Sequence, residues 1–197
     1  MTLDGRAMCW GDNFFGSVTG NAGAHTPDTC ATGGDKRCTL SPHAVDAQQR
    51  FVRVAAGDAQ TCAVTVETAW WCWGGSATEP APPHRIDAPG VTALATGSSH
   101  ACALTRTAAL LCQGGNNLGQ LGAQGAPVDY SPAAVPVNAL ELFQSVAAGM
   151  FHTCAVTTEG TAYCWGGNRD GQLGNGSPHT CDGAYPCSRM PQIVRTR

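Results

Sequence analysis

The chain has 197 residues, with 11 Lys plus Arg against 14 Asp plus Glu and a formal net charge of -3. Hydrophobic residues make up 43%, and 25 glycines and 12 prolines mark frequent turns, so the composition reads as turn-rich β structure with a core to bury, not as disorder. The basic residues are scattered singly, which argues against an electrostatic nucleic-acid binder, and no apolar run approaches the roughly 20 residues of a membrane-spanning helix.

The first stretch, Met1 to Gly11, reads as half of a hairpin ending in Cys9-Trp10-Gly11. Asp12 to Gly20 follows as a polar loop containing Phe14 and Phe15, expected to pack under it, with an exposed contact pair as the alternative. Asn21 to Val45 is the longest insertion and carries Cys30, Asp35, Lys36, Arg37 and Cys38. Phe51 to Gly75 is the first full unit, FVRVAAGDAQTCAVTVETAWWCWGG, with Cys62 and Cys72 ten positions apart. Alternation sends Trp71 and Trp73 to one face and Trp70 to the other, as core packing. Val91 to Gly122 is a second unit, with Cys102 and Cys112 at the same spacing and Gln113 in place of the tryptophan. Phe143 to Gly174 is a third, with Cys154, Cys164 and Trp165-Gly166. Asn175 to Arg189 then forms a second long loop, with His179, Cys181, Asp182, Tyr185, Cys187 and Arg189.

Identical spacing inside the units and variable spacing between them predicts rigid hairpins joined by free connections. A register placing Cys154 opposite Cys164 leaves a hairpin loop of about three residues. It also sets Ala155 against Tyr163, Ala63 against Trp71 and Ala103 against Leu111, a small residue always facing a large one. Ser145 to Gly149 reads as a strand before the hairpin and Pro191 to Val194 as one after it, with Pro132 to Val137 and Pro83 to Ile86 as counterparts. Each unit is therefore expected to hold about four short antiparallel strands, and no segment has helical periodicity. The expected boundaries are 1–50 (a partial repeat with the long insertion), 51–90, 91–142 and 143–197, all within one domain. Gly57, Gly97 and Gly149 are expected to supply tight strand-ending backbone geometry. His100 and His152, equivalent before two hairpins, are expected to be hydrogen-bonded structural residues.

Eleven cysteines give five plausible pairs, Cys62/Cys72, Cys102/Cys112, Cys154/Cys164, Cys30/Cys38 and Cys181/Cys187, with Cys9 left over. Free thiols and zinc are the rival readings, but no Cys-x-x-Cys occurs and ten-residue spacing across a hairpin does not resemble metal-ligand spacing. Disulfides imply an extracellular, periplasmic or cell-surface setting. By the repeat register the partner of Cys9 falls just before Met1, and no signal peptide is visible, so the reading is of a piece of a longer exported protein.

The pattern Val-Ala-Ala-Gly-x-x-His-Thr-Cys-Ala-Val, then Gly-x-x-Tyr-Cys-Trp-Gly, then Asn-x-x-Gly-Gln-Leu-Gly resembles the regulator of chromosome condensation repeat. The resemblance covers nearly the whole chain, as three full copies and one half copy, and its cysteine-rich form is similar to bacterial secreted or surface members. It implies an all-β propeller, closed in the family by seven blades, of which this chain supplies an open arc prone to self-association through its terminal blades. It also implies a protein-binding platform; no nucleophile elbow, phosphate loop or His-Glu-x-x-His motif appears in the sequence, so no catalysis, metal or cofactor is expected. Equivalent exits of the two long loops predict one shared rim, with Asp35, Lys36, Arg37, His179, Asp182, Tyr185 and Arg189 as candidate contacts to a protein partner. A structural segment of a larger surface protein and nucleotide exchange on a small GTPase stand as alternatives, the latter by family analogy.

Overall fold

The computed structural model describes residues 1–19, 38–45, 48–75, 81–176, 180–181 and 185–195. Its strands are β1 (Met8–Asp12), β2 (Cys38–Ala44), β3 (Phe51–Ala56), β4 (Gln60–Thr65), β5 (Trp70–Gly74), β6 (Ala81–Ile86) and β7 (Val91–Thr96). They continue as β8 (His100–Thr105), β9 (Leu110–Gly115), β10 (Tyr130–Pro136), β11 (Phe143–Ala148), β12 (His152–Thr157), β13 (Ala162–Gly167) and β14 (Cys187–Ile193). No helix occurs among the described residues. Three antiparallel sheets of four strands each run β3 to β6, β7 to β10 and β11 to β14, every strand beside its sequence neighbour, and β1 pairs with β2 in a two-stranded sheet.

These are propeller blades, formed by local pairing. The register is the one the cysteines predict: Cys62 faces Cys72, Cys102 faces Cys112 and Cys154 faces Cys164, with Ala63 opposite Trp71, Ala103 opposite Leu111 and Ala155 opposite Tyr163. Each facing cysteine pair is disulfide-bonded, with Cα atoms 4.1 Å apart. Each hairpin turns through three residues, the last in the left-handed region: Thr68, Ala108 and Gly160, at φ 64°, 60° and 88°. Glycine fits that geometry without cost, whereas the other two side chains strain it.

The core lies between blades, not within them. Trp70 packs with Cys62, Val64, Ile86 and Val91, between the first and second full blades. Trp165 packs with Leu104, Leu110, Leu121 and Phe143, between the second and third. Trp73 and Trp71 face the other way, toward Ala7, Val45 and Cys9 of the two-stranded sheet. The alternation of the three tryptophans thus holds, and it lets one strand bind both neighbours.

Three expectations change. Cys38 to Ala44 is strand β2, so the insertion after β1 is shorter than a loop over Asn21 to Val45. Likewise β14 begins at Cys187, which places Arg189 in a strand and not in the loop. Gly57, Gly97 and Gly149 do not have positive φ. Their constraint is close approach. A Cβ on Gly57 would sit 2.1 Å from the Gly97 carbonyl oxygen, and one on Gly97 would sit 2.4 Å from that of Gly149 and 2.2 Å from the His100 ring. The three glycines let successive blades touch backbone to backbone. Beside them, Ala59 N–H donates to the Ser98 carbonyl and Ser98 N–H to the Met150 carbonyl.

Candidate functional site

In an up-and-down blade, the turn between strands one and two lies at the same end as the connection between strands three and four. The chain therefore leaves β1 and β13, and re-enters at β2 and β14, on one rim, while the hairpin tips lie on the other. On this rim three short loops share one geometry. Asn13, Asn116 and Asn168 each accept, through Oδ1, the backbone N–H five residues on, from Val18, Leu121 and Leu173. Gly16, Gly119 and Gly171 each donate to the carbonyl of that asparagine and take positive φ. Val18, Leu121 and Leu173 are buried beneath. Phe14 and Phe15 make an edge-to-face pair at 4.9 Å and are half-buried, between the two outcomes the sequence suggested.

The loops hold the blades together. The Ser17 carbonyl accepts from Thr61 Oγ1 at 2.7 Å and from Trp73 Nε1 at 2.9 Å. The equivalent Gln120 carbonyl accepts from Thr153 Oγ1 at 3.0 Å and from Trp165 Nε1 at 2.8 Å. A threonine and a tryptophan of one blade thus clamp one backbone oxygen of the preceding loop. The blade at 91–142 carries Ala101 and Gln113 at those positions and follows the short 75–81 connection. There Gln113 instead donates to Gln60 Oε1 at 3.1 Å. Where the loop is missing, so are both of its donors. That pairing was visible in the sequence as a tryptophan replaced by glutamine, but the carbonyl it answers to has no side-chain signature.

His100 completes the clamp. Thr153 spends its single proton on Gln120, so the 2.9 Å contact to His100 Nε2 is donated by the imidazole. Nδ1 is then a buried acceptor without a partner. Burial, and then the proximity of His152, lower the His100 pKa to about 4. Burial lowers that of His152 as well. His100 is buried and hydrogen-bonded, as its repetition suggested, whereas His152 is half-buried and borders a groove.

Beside the clamp, a groove of about 420 Å³ opens on the rim between Leu118, Met150, Phe151, His152, Asp170 and Tyr185. Met150, Phe151 and Tyr185 are exposed to 60%, 41% and 56%. Tyr185 belongs to the connection stapled by Cys181–Cys187, so this predicted contact does reach a concave surface. Arg189 does not: from β14 its guanidinium reaches the Asn116 carbonyl at 3.3 Å, tying the last blade to the loop before it. Asp35, Lys36, Arg37, His179 and Asp182 lie outside the described residues, as does Cys30. Cys38 is disulfide-bonded, and Cys9 is a free thiol. Met150 and Phe151 escaped the sequence reading because it sought contacts in the long loops, not in the turn after the first strand. No three His, Cys, Asp or Glu side chains converge as metal ligands among the described residues.

Comparison with known proteins agrees with this architecture. The regulator of chromosome condensation (RCC1) repeat model matches residues 91–120 and 143–172, and a second model of that description matches 159–196. The chain is 28% identical over 191 residues to the ultraviolet-B receptor UVR8 of Arabidopsis thaliana, covering 90% of this chain and 40% of the receptor. It is 31% identical over 193 residues to the human E3 ubiquitin-protein ligase HERC2, covering 90% of this chain and 4% of the ligase. Among solved structures, yeast RCC1 (Prp20) bound to Kap60 superposes with a TM-score of 0.74 at 20% identity, over 98% of this chain and 45% of that one. Prp20p from Saccharomyces cerevisiae, in a study of its binding to Gsp1p and histones, gives 0.69 at 22%, over 80% and 41%. Human WBSCR16 gives 0.72 at 21%, over 95% and 53%. The chain spans between 4% and 53% of the length of these relatives.

Proposed function

Because the chain belongs to the regulator of chromosome condensation repeat family, we propose that it is a non-catalytic protein-interaction module of the cell exterior that binds a protein partner through one rim. The observation that carries this reading is the groove between Leu118, Phe151 and Tyr185. Exposed aromatic and thioether side chains gathered around a concavity, on blades fixed by disulfides and clamps, are the anchor arrangement of a protein interface. The disulfide pairs are compatible with an extracellular location. The relatives named above lend support of a general kind, since Prp20 is a protein that engages other proteins. A ligase such as HERC2 owes its name to a chain of which this one spans a small part.

The test is partner capture by crosslinking on the surface of native cells, with the wild-type chain and with Phe151→Glu plus Tyr185→Glu. Both side chains are exposed, so the variant keeps its melting temperature. A specific crosslinked protein lost with the variant supports the reading, and one retained at full yield refutes rim binding. Nucleotide release from a small GTPase, stimulated by the wild-type chain, would favour the exchange-factor alternative.

A further inference from the structure

The hairpin tips lie on the rim away from the long loops, and each is tied to the connection that enters its blade. The N–H groups of Val66, Arg106 and Thr158 donate to the carbonyls of Arg50, Gly90 and Leu142. The connection into the third full blade is the longer of the two between full blades. Asp87 to Gly90 join Ile86 to Val91, whereas Asn138 to Leu142, one residue more, join the equivalent Val137 to Phe143. In that longer connection Leu140 is fully exposed and Leu142 is 54% exposed. Between it and the tip of its blade lies a notch of about 350 Å³, lined by Leu140, Glu141, Leu142, Thr158, Glu159 and Tyr163. Exposure at a tip belongs to the fold. Glu67 and Thr107 hold the place of Glu159 in the two preceding blades, and both are exposed although a further blade follows each.

Two carboxylates stand at this notch. The Tyr163 hydroxyl donates to Glu141 Oε1 at 2.9 Å, which fixes that carboxylate beside the connection. That hydrogen bond, then burial and the charges of Glu141 and Glu159, hold the tyrosine hydroxyl above its ordinary pKa, so both carboxylates act on the same point. Among the described residues the ion pair present is Arg6 with Asp4, and no Lys or Arg pairs with either glutamate. Aliphatic walls and an unpaired negative mouth set two separate requirements on an occupant. The first is met by a methylene stem and the second by a cation at its end, and lysine and arginine side chains combine them.

We propose that this notch is a second docking surface, on the hairpin-tip rim, for a segment of a partner protein that presents lysine or arginine side chains. It is separate from the groove at Phe151 and stands whether or not that groove binds. The stems of the basic side chains lie along Leu140 and Leu142, and their charged heads reach Glu141 and Glu159. Each such pair is exposed, so a single contact is weak and falls further with salt. Selectivity comes from meeting both requirements at once: a bare cation forgoes the leucines, and an aliphatic side chain leaves the carboxylates unpaired.

The probe is the peptide Gly-Lys-Ser-Lys-Gly with blocked ends, titrated into the isotope-labelled full chain at low ionic strength and mildly acidic pH, where every amine is charged. Chemical-shift changes give the affinity and map the site. One control peptide carries norleucine in place of lysine, which keeps the stem without the charge. Another carries diaminobutyrate, which keeps the charge on a shorter stem. The lysine peptide should bind about fivefold more tightly than either, with shifts centred on Leu140 to Leu142 and Thr158 to Tyr163. Glu141→Gln with Glu159→Gln should remove the advantage over norleucine, and Leu140→Ser the advantage over diaminobutyrate. All three side chains are exposed, and glutamine still accepts from Tyr163, so the melting temperature should not move. Glu67→Gln, at the equivalent tip of the first full blade, should change nothing. Equal affinities for the three peptides, or no binding of the lysine peptide, would overturn the proposal. So would an advantage that survives the glutamine pair, or an equal loss with Glu67→Gln.

Discussion

Replacing Trp165 by phenylalanine keeps most of the buried ring and deletes one donor to the Gln120 carbonyl. That oxygen still accepts from Thr153, so the loss is one hydrogen bond plus a small void, about 1–2 kcal/mol. Thr153→Val costs more, about 2–4 kcal/mol. It removes the second donor and also orphans the His100 Nε2 proton, on a ring whose other nitrogen is already unpartnered. The double variant leaves the carbonyl with neither donor, in a buried setting. The two substitutions should therefore destabilise by about 1 kcal/mol more together than the sum of their separate effects. Equilibrium denaturation of the four proteins, disulfides intact, measures this coupling. Additivity to within about 0.3 kcal/mol would refute the shared-acceptor argument. So would a Trp165→Phe loss as large as the roughly 3–5 kcal/mol expected for Trp165→Ala.

Ala108 holds φ 60° at a hairpin tip, so Ala108→Gly should raise stability by about 0.5–1 kcal/mol after the unfolded-state entropy of glycine is counted; a lower melting temperature would contradict the strain. Gly97→Ala should cost at least about 3 kcal/mol, because the new methyl meets the His100 ring and the Gly149 backbone at 2.2 and 2.4 Å, and melting curves would expose a milder effect. His100 has a folded pKa of about 4 against 6.5 when unfolded. The unfolded chain therefore binds its proton first as pH falls, and the contribution of the neutral ring is full above about pH 6.5 and lost progressively toward pH 4, some 3 kcal/mol in all. Denaturation midpoints across that window should fall less steeply in His100→Gln. Reduction of the hairpin disulfides should lower the denaturation midpoint, each ten-residue crosslink contributing about 2–3 kcal/mol.

What the sequence determined by itself was everything carried by local geometry. Strand alternation and three identical cysteine spacings specify the hairpins, because a ten-residue crosslink across a three-residue turn admits one register. The same alternation sends Trp70 to one neighbour and Trp71 with Trp73 to the other. The tertiary structure decided what lies across the gaps between blades. The purpose of Gly97 is clearance for a histidine ring and a carbonyl, which no φ-based reading reveals. The roles of Thr153 and Trp165 depend on a backbone oxygen supplied 33 and 45 residues earlier. Met150 and Phe151 become a groove only once Leu118 and Tyr185 are folded beside them. Backbone acceptors and clearances leave no mark on residue identity at their own position, so pattern reading finds the donors and the small residues but not what they answer to.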